Sequence, residues 1–200
     1  ADGYVSGQQL CETFGVSRTA VWKVINQLKE EGYVIDSVQN KGYRITEYPD
    51  IITASEIESL LLDDSGNMQG ICRHIQYFDK TDSTNNQAKL AAEKNAPDGT
   101  LFVAECQTGG RGRRGKTWES PAGSGIWMSL LLRPDISPES ASMLTLVLAV
   151  AMVDAINEEV QDAKCYVKWP NDIVLNNRKI SGTLTEMSAE MDSTHYVVIG

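Results

Sequence analysis

The run from Gln107 to Trp118, QTGGRGRRGKTW, is the part of this sequence best equipped to hold an anion. From Thr108 to Trp118 it carries four basic residues, Arg111, Arg113, Arg114 and Lys116, and no acid. Guanidinium groups donate paired hydrogen bonds that match carboxylate and phosphate oxygens. Gly109, Gly110, Gly112 and Gly115 are expected to take positive φ and let the backbone approach a ligand closely. The spacing is neither the G-x-x-x-x-G-K-[ST] phosphate loop nor a dinucleotide fingerprint. Read alone, the Gly/Arg pattern also suits an RNA-binding tract or a solvated loop, although no further repeats accompany it.

A second segment, Lys168-Trp169-Pro170-Asn171-Asp172, puts a lysine at a strand end. Proline restricts Trp169 to extended geometry, and Asn-Asp suits a turn. The expected corner displays Lys168 and packs Trp169. A plain hairpin corner would read the same way. The third segment, Thr81 to Asn86, follows the strand signal Ile75–Phe78. It is an ordinary helix start with several possible caps. A helix start also offers free N–H groups and hydroxyls to a small polar ligand.

The rest of the composition narrows the classes. The net charge is −9, so one basic loop in an acidic chain points to a local anion site, not a broad nucleic-acid surface. Cys11, Cys72, Cys106 and Cys165 form no C-x-x-C pair and have no histidine at zinc-ligand spacing. They are expected to be free thiols in a reducing cytoplasm, and no metal site is expected. His74 and His195 read as ordinary strand residues. The apolar run Met143–Val153 is short of the ~20 residues a membrane span needs, so a buried helix and no membrane partner are expected. The start of the chain lacks the basic and apolar regions of a secretory signal.

These segments must be positioned by two sets of elements. Residues 1–48 read as a unit of their own. Ser6 with Gln9 makes a capping box, and Leu10, Cys11 and Phe14 give that helix an apolar side. Gly15-Val16-Ser17 is a turn with a helix-ending glycine and then a capping serine. The next helix spans about Arg18 to Glu31, with Val21, Val24, Ile25 and Leu28 on one buried face. Strand signals at 33–35 and 43–45 flank the turn-rich tip Gln39–Gly42. Helix, tight turn, helix, hairpin is the order of a winged helix-turn-helix. Ser17, Arg18, Thr19, Lys23 and Asn26 are its expected DNA-binding residues. Five Lys/Arg against seven Asp/Glu in residues 1–50 leave it at −2, which also fits a helical protein-interaction domain.

Residues 49–200 form the second unit, with the boundary at Tyr48-Pro49-Asp50. Thr53 and Glu56 cap a helix that the loop 63–67 ends. Strands are expected near 74–79, 101–106, 126–132, 164–168, 172–175, 178–187 and 194–200. Helices are expected over 83–94 and from Ser137-Pro138 to about Val160. Several strands follow one another without a helix between them. The pattern predicts an α+β fold with a mixed sheet and helices on one side.

Together the three segments, in order and ungapped, resemble the catalytic domain of the biotin protein ligases. The pattern is completed by Lys179-Ile-Ser-Gly-Thr-Leu-Thr-Glu186, where Thr183 replaces a more usual aliphatic residue. With the winged unit in front, the chain resembles the bifunctional ligase and biotin-operon repressor type. The resemblance implies a class II synthetase-like biotin/lipoate ligase domain, C-terminally incomplete, without the SH3-like domain and without the first helix of the winged unit. It implies a cytoplasmic enzyme that makes biotinyl-5'-AMP from biotin and ATP with Mg2+. The biotinyl group then goes to a lysine of a biotin carboxyl carrier protein. It further implies operator DNA as a partner and a ligand-linked homodimer.

Residue roles follow the same resemblance. Lys168 and Arg113 are the catalytic pair. Biotin falls to Ser83, Thr84, Asn85, Gln107, Gly110, Arg111, Gly112, Arg113 and Lys168. The adenylate falls to Arg111, Arg113, Lys116 and Trp118. A lipoate-type ligase shares this chemistry, and a ligand-sensing regulator without ligase activity is the remaining alternative.

Overall fold

The computed structural model describes residues 3–50, 52–63, 68–160, 164–191 and 193–200. They divide into two units, Ala1–Ile51 and Ile52–Gly200. In the first, the Ser6 hydroxyl accepts the Gln9 N–H at 3.0 Å and opens α1 (Gly7–Phe14). Gly15 closes it at φ +63°. Ser17 opens α2 (Arg18–Glu30) by accepting the Ala20 N–H at 3.2 Å. Each such cap contributes about 1 kcal/mol. β1 (Val34–Val38) and β2 (Gly42–Glu47) form an antiparallel hairpin, and Val5 bridges to Tyr43 at its edge. A side chain on Gly42 would run into the Val5 carbonyl, so glycine is what lets the strands meet there. Val21, Tyr33 and Ile35 form the buried centre. The expected apolar faces are only partly covered: Val24 is 54% and Phe14 68% exposed. The hairpin and α1 cover the side of α2 that carries Val21 and leave the next side open.

In the second unit, Thr53 caps α3 (Ala54–Leu61) through the Glu56 N–H. Of the loop expected at 63–67, residues 64–67 lie outside the described residues. The main sheet has the order β3-β4-β5-β10-β9, built from His74–Phe78, Thr100–Ala104, Trp127–Leu132, Thr194–Ile199 and Thr185–Ala189. β3 and β4 run parallel and the other neighbours antiparallel, so the sheet is mixed as expected. A second sheet of three antiparallel strands joins β6 (Cys165–Lys168), β7 (Asp172–Leu175) and β8 (Arg178–Gly182).

Two features correct the expectation. The helices lie on both faces of the main sheet, not on one. Ala88 and Ala92 of α4 (Thr84–Glu93) pack with Phe102, Leu131 and Val198. Ala141, Leu144 and Leu148 of α5 (Ala141–Glu159) pack with Leu132, Val197 and Ile199. Successive strand residues point to opposite faces. Leu131 beside Leu132 therefore serves one helix on each side, which is why β4 is buried throughout. The strand expected over 178–187 is also two strands in two sheets. The break falls at Thr183-Leu184, where the Thr183 N–H donates to Asn171 and the Leu184 N–H to Gly200. This crossing brings the edges of the two sheets together.

The Ser137-Pro138 start is present as a 3-10 turn, Pro138–Ser140, leading into α5. The helix is longer than the apolar run within it. Pro138–Glu159 is long and apolar enough to cross a membrane by length and composition, against the expectation drawn from the shorter run. Nor is it a buried helix: Ala141 and Ala149 are buried, but Met143, Val147 and Val150 are exposed. All four cysteines are free thiols.

Candidate active site

The site begins at the N-terminus of α4. Ser83 is the cap residue and is 2% exposed, yet its side chain makes no capping bond. The turn is braced instead by Asp82, which accepts from Asn86 at 2.7 Å and Gln87 at 2.8 Å. Burial favours its protonation, but those bonds, with others from the Ser83 N–H and Thr81, outweigh it and hold its pKa at about 2. The Thr84 N–H donates to Gln107 Oε1 at 2.8 Å, and Gln107 Nε2 donates to Ser120 at 2.9 Å. Ser129 Oγ, fully buried on β5, lies 2.7 Å from Thr84 Oγ1 and 2.6 Å from Asn85 Oδ1. Ser129 has one proton to donate. The Thr84 hydroxyl donates to Gln107 Oε1 at 3.2 Å, so the Ser129 proton is shared between Thr84 Oγ1 and Asn85 Oδ1. The amide of Asn85 is thereby fixed, with Nδ2 directed to Glu186 Oε2 at 3.0 Å and the Leu184 carbonyl at 3.2 Å.

The basic segment is a narrow hairpin. The Trp118 N–H donates to the Gly110 carbonyl, Arg111 pairs with Thr117, and the Gly112 N–H donates to the Lys116 carbonyl. A 3-10 turn at Arg113–Gly115 forms the tip. The glycines act differently from expectation. Only Gly115, at φ +72°, takes the left-handed region, and Arg114 joins it at φ +57°. Gly109 and Gly110 serve close approach: a side chain would press on the Asp82 carbonyl at Gly109, and on the Trp118 carbonyl and Ser120 at Gly110.

Side chains from this hairpin reach α4, β8, β9 and the corner between β6 and β7. Arg111 Nη1 donates to Asn86 Oδ1 at 2.9 Å and pairs with Glu186 Oε1 at 3.2 Å. Arg113 Nη1 donates to Asn171 Oδ1 at 3.0 Å. Lys179 Nζ lies 4.8 Å above the Trp118 ring and 2.6 Å from Asp172 Oδ1. A lysine over a tryptophan face gains about 0.5–1 kcal/mol at an exposed site. Burial pushes the Glu186 carboxyl up, but hydrogen bonds from Lys89 and Asn85 and the charges of Lys89 and Arg111 bring it below the usual value.

These elements enclose one cavity of about 660 Å³. Its lining holds five cationic side chains, Arg111, Arg113, Arg114, Lys116 and Lys179, against one carboxylate, Asp172. Trp118, Trp127 and Trp169 supply aromatic walls, and Ser83, Thr84, Asn85 and Gln107 a polar floor. A lining that combines neutral donors and acceptors with concentrated positive charge suits a ligand with a neutral polar head and an anionic tail.

The structure thus brings together Ser83, Thr84, Asn85, Gln107, Arg111, Gly112, Arg113, Lys116 and Trp118. Two expected residues are not in the lining. Gly110 supports the base of the hairpin. Lys168 stays exposed at the end of β6, although Arg113 reaches Asn171 in the same corner. Asp172, opposite Lys168 in the ladder, is held by Lys179 instead. Trp169, expected to pack, is 78% exposed and lines the cavity mouth. Lys179, Asp172 and Glu186 belong to the motifs that carry the resemblance but had no expected role, and Ser129 lies outside those motifs. For Ser129 a signal existed, a lone hydroxyl within the apolar strand WMSLLL. Among the described residues, no group of three His, Cys, Asp or Glu is placed to hold a metal ion.

Residues 77–200, more than half of the sequence and every segment that lines the cavity, match the family model of the biotin/lipoate A/B protein ligases. The chain belongs to the biotin/lipoate A/B protein ligase family. In front of this family domain, residues 1–44 match an HTH domain. The bifunctional ligase/repressor BirA of Bacillus subtilis (strain 168) is 45% identical over 98% of this chain and 59% of its own length. BirA of Escherichia coli (strain K12) is 35% identical over 98% of this chain and 57% of its own. This member of the ligase family therefore spans under two thirds of the length of those relatives. Among solved structures, a biotin protein ligase from Aquifex aeolicus in complex with biotin and ATP is similar. Its TM-score is 0.51 at 32% identity, over 64% of this chain and 51% of that one.

Proposed function

We propose that this ligase-family chain condenses biotin with ATP to give biotinyl-5'-AMP and pyrophosphate. The biotinyl group then passes to a lysine of a biotin carboxyl carrier protein. The observation that carries this reading is the cavity itself, whose lining joins the neutral polar groups of Ser83, Thr84, Asn85 and Gln107 to five cations. In the first step a biotin carboxylate oxygen forms a bond to the α-phosphorus, and pyrophosphate leaves. In the second, the carrier amine attacks the acyl carbon, loses a proton, and AMP leaves. The first step sets two anions against each other, at a cost of about 4 kcal/mol at ~4 Å and an effective dielectric of ~20. Arg111, Arg113 and Lys116 offset that repulsion and hold the charge that grows on phosphorus oxygens. Ser83, whose hydroxyl caps no backbone group, is free to bond the ureido ring beside Thr84, Asn85 and Gln107. Trp118, held by Lys179, covers the adenylate. Lys168 contributes charge from the rim of the same corner.

Magnesium is usually bound by one or two carboxylates with nucleotide phosphates. Asp172 is the carboxylate in the lining and is already paired with Lys179, so the ion would be held mainly by the phosphates, whose charge it would screen. The first unit is proposed to bind operator DNA as a ligand-linked homodimer. Ser17, Arg18, Thr19 and Lys23 are exposed at or near the start of α2, and Lys23 and Asn26 line one cleft on it. ATP and the free thiols both fit a cytoplasmic setting.

Mass spectrometry after mixing the protein with ATP and either biotin or lipoate tests the ligase reading. Biotinyl-AMP should form, and lipoyl-AMP should be at least tenfold less abundant. Lipoyl-AMP in excess, or no adenylate of either acid, would remove the assignment.

A further inference from the structure

Among the described residues, Arg111 is the one cavity cation tied to a carboxylate outside the cavity lining, and that carboxylate carries a second cation. Glu186 Oε1 accepts from Lys89 Nζ at 2.8 Å and pairs with Arg111 Nη1 at 3.2 Å. Neither Glu186 nor Lys89 lines the cavity. A carboxylate paired with Arg111 alone would fix its direction but cancel its charge. Two cations on one carboxylate leave a net charge of +1. Lys89, one turn beyond Asn85 on α4, reaches Glu186 but does not line the cavity, so the uncancelled charge that a ligand meets is that of the Arg111 guanidinium. Its Nη1 is occupied by Asn86 and Glu186, while among the described residues Nε and Nη2 have no protein partner and can face a ligand.

We propose that Lys89 and Glu186 are positioning residues for anion recognition: Glu186 aims Arg111 at the anionic end of the ligand, and Lys89 keeps Glu186 from neutralising it. The proposal rests on reading the cavity as the biotin site. Its consequence is a preference for a charged ligand tail that depends on a lysine the ligand never touches.

Titration calorimetry with biotin and with biotinamide, which has the same rings and an uncharged tail, tests this. The wild-type protein should prefer biotin by about tenfold, the scale of one charge-assisted contact. Lys89→Met should cut that preference to about twofold with biotinamide affinity unchanged. Lys89→Arg should keep it. The double variant Lys89→Met, Glu186→Gln should recover most of it, because Arg111 then regains its charge. An unchanged preference in Lys89→Met overturns the proposal. So does equal loss of both ligands, which marks a structural role, or a double variant no better than the single one. A wild-type protein that binds both probes equally also overturns it, while leaving the biotin site standing. Binding of neither probe removes the site reading and this proposal with it.

Discussion

Arg113→Ala is expected to slow biotinyl-AMP formation by about 10²–10³-fold, the effect of losing one preorganised charge donor at a reacting centre. Arg113 stands at the tip of the hairpin, and one end of its guanidinium is anchored to Asn171 Oδ1. That bond links the hairpin to the β6–β7 corner and leaves the other donors facing the cavity. A guanidinium held in this way loses little freedom when phosphate arrives. Lysine at this position should recover only part of the rate, because it offers a point charge without the paired donors. Arg113 is exposed, so its loss should change stability by no more than about 0.5 kcal/mol. A single-turnover assay beside a thermal melt separates the two effects. A rate within threefold of wild type would show that Arg113 does not meet the reacting phosphate.

The second large effect lies in the core. Phe102→Ala is expected to cost about 3–5 kcal/mol, against a total of roughly 5–15 for an ordinary domain. Phe102 is fully buried on β4 and packs in one cluster with Leu131, Val198 and Ala88 and Ala92 of α4. The two alanines let the helix sit close to the sheet, so removing the ring leaves a cavity that the close-packed neighbours fill only in part. The same helix begins with Ser83, Thr84 and Asn85, so the variant should lose ligand affinity along with stability. Urea denaturation should show a lower midpoint with an unchanged slope. Leu60→Ala, at an exposed position, is the control and should shift stability by less than about 0.5 kcal/mol. A Phe102 variant as stable as that control would mean the α4 layer is not where the domain's stability resides.

Local features of this fold were legible in the sequence because their causes are local. Ser6, Ser17 and Thr53 cap the helices they were expected to cap, since each bond reaches only three residues ahead. The strands at 74–78, 100–104 and 194–199 announce themselves by apolar content and flanking turns. What the sequence hid depends on partners far along the chain. Residues 178–187 read as one strand because no local signal says that β8 and β9 belong to different sheets. The break at Thr183 becomes visible only when Asn171 and Gly200 take its neighbouring backbone bonds. Leu131 and Leu132 look like a single apolar run until two helices arrive from opposite sides.

The site divides in the same way. The basic hairpin, the α4 start and the Asn171-Asp172 corner each carry a composition suited to binding, and they do meet in one cavity. Lys179 opens the last motif of the resemblance, but nothing in its local sequence says where its side chain goes. It gains its position from strand pairing that sets it beside Asp172 and over Trp118. Lys168 illustrates the reverse case, a strand-end lysine in a suggestive motif whose side chain remains outside the lining. Its one-residue neighbour Trp169 is the residue that faces the mouth.

Affinity for a non-hydrolysable biotinyl-adenylate analogue, compared with that for biotin alone, tests the central claim most directly. If polar floor and cation cluster form one continuous binding surface, the analogue should bind at least about 100-fold more tightly, because it engages both ends at once. Equal affinities would mean that the cations around Arg113 take no part in holding the nucleotide, and the account of this cavity would fail.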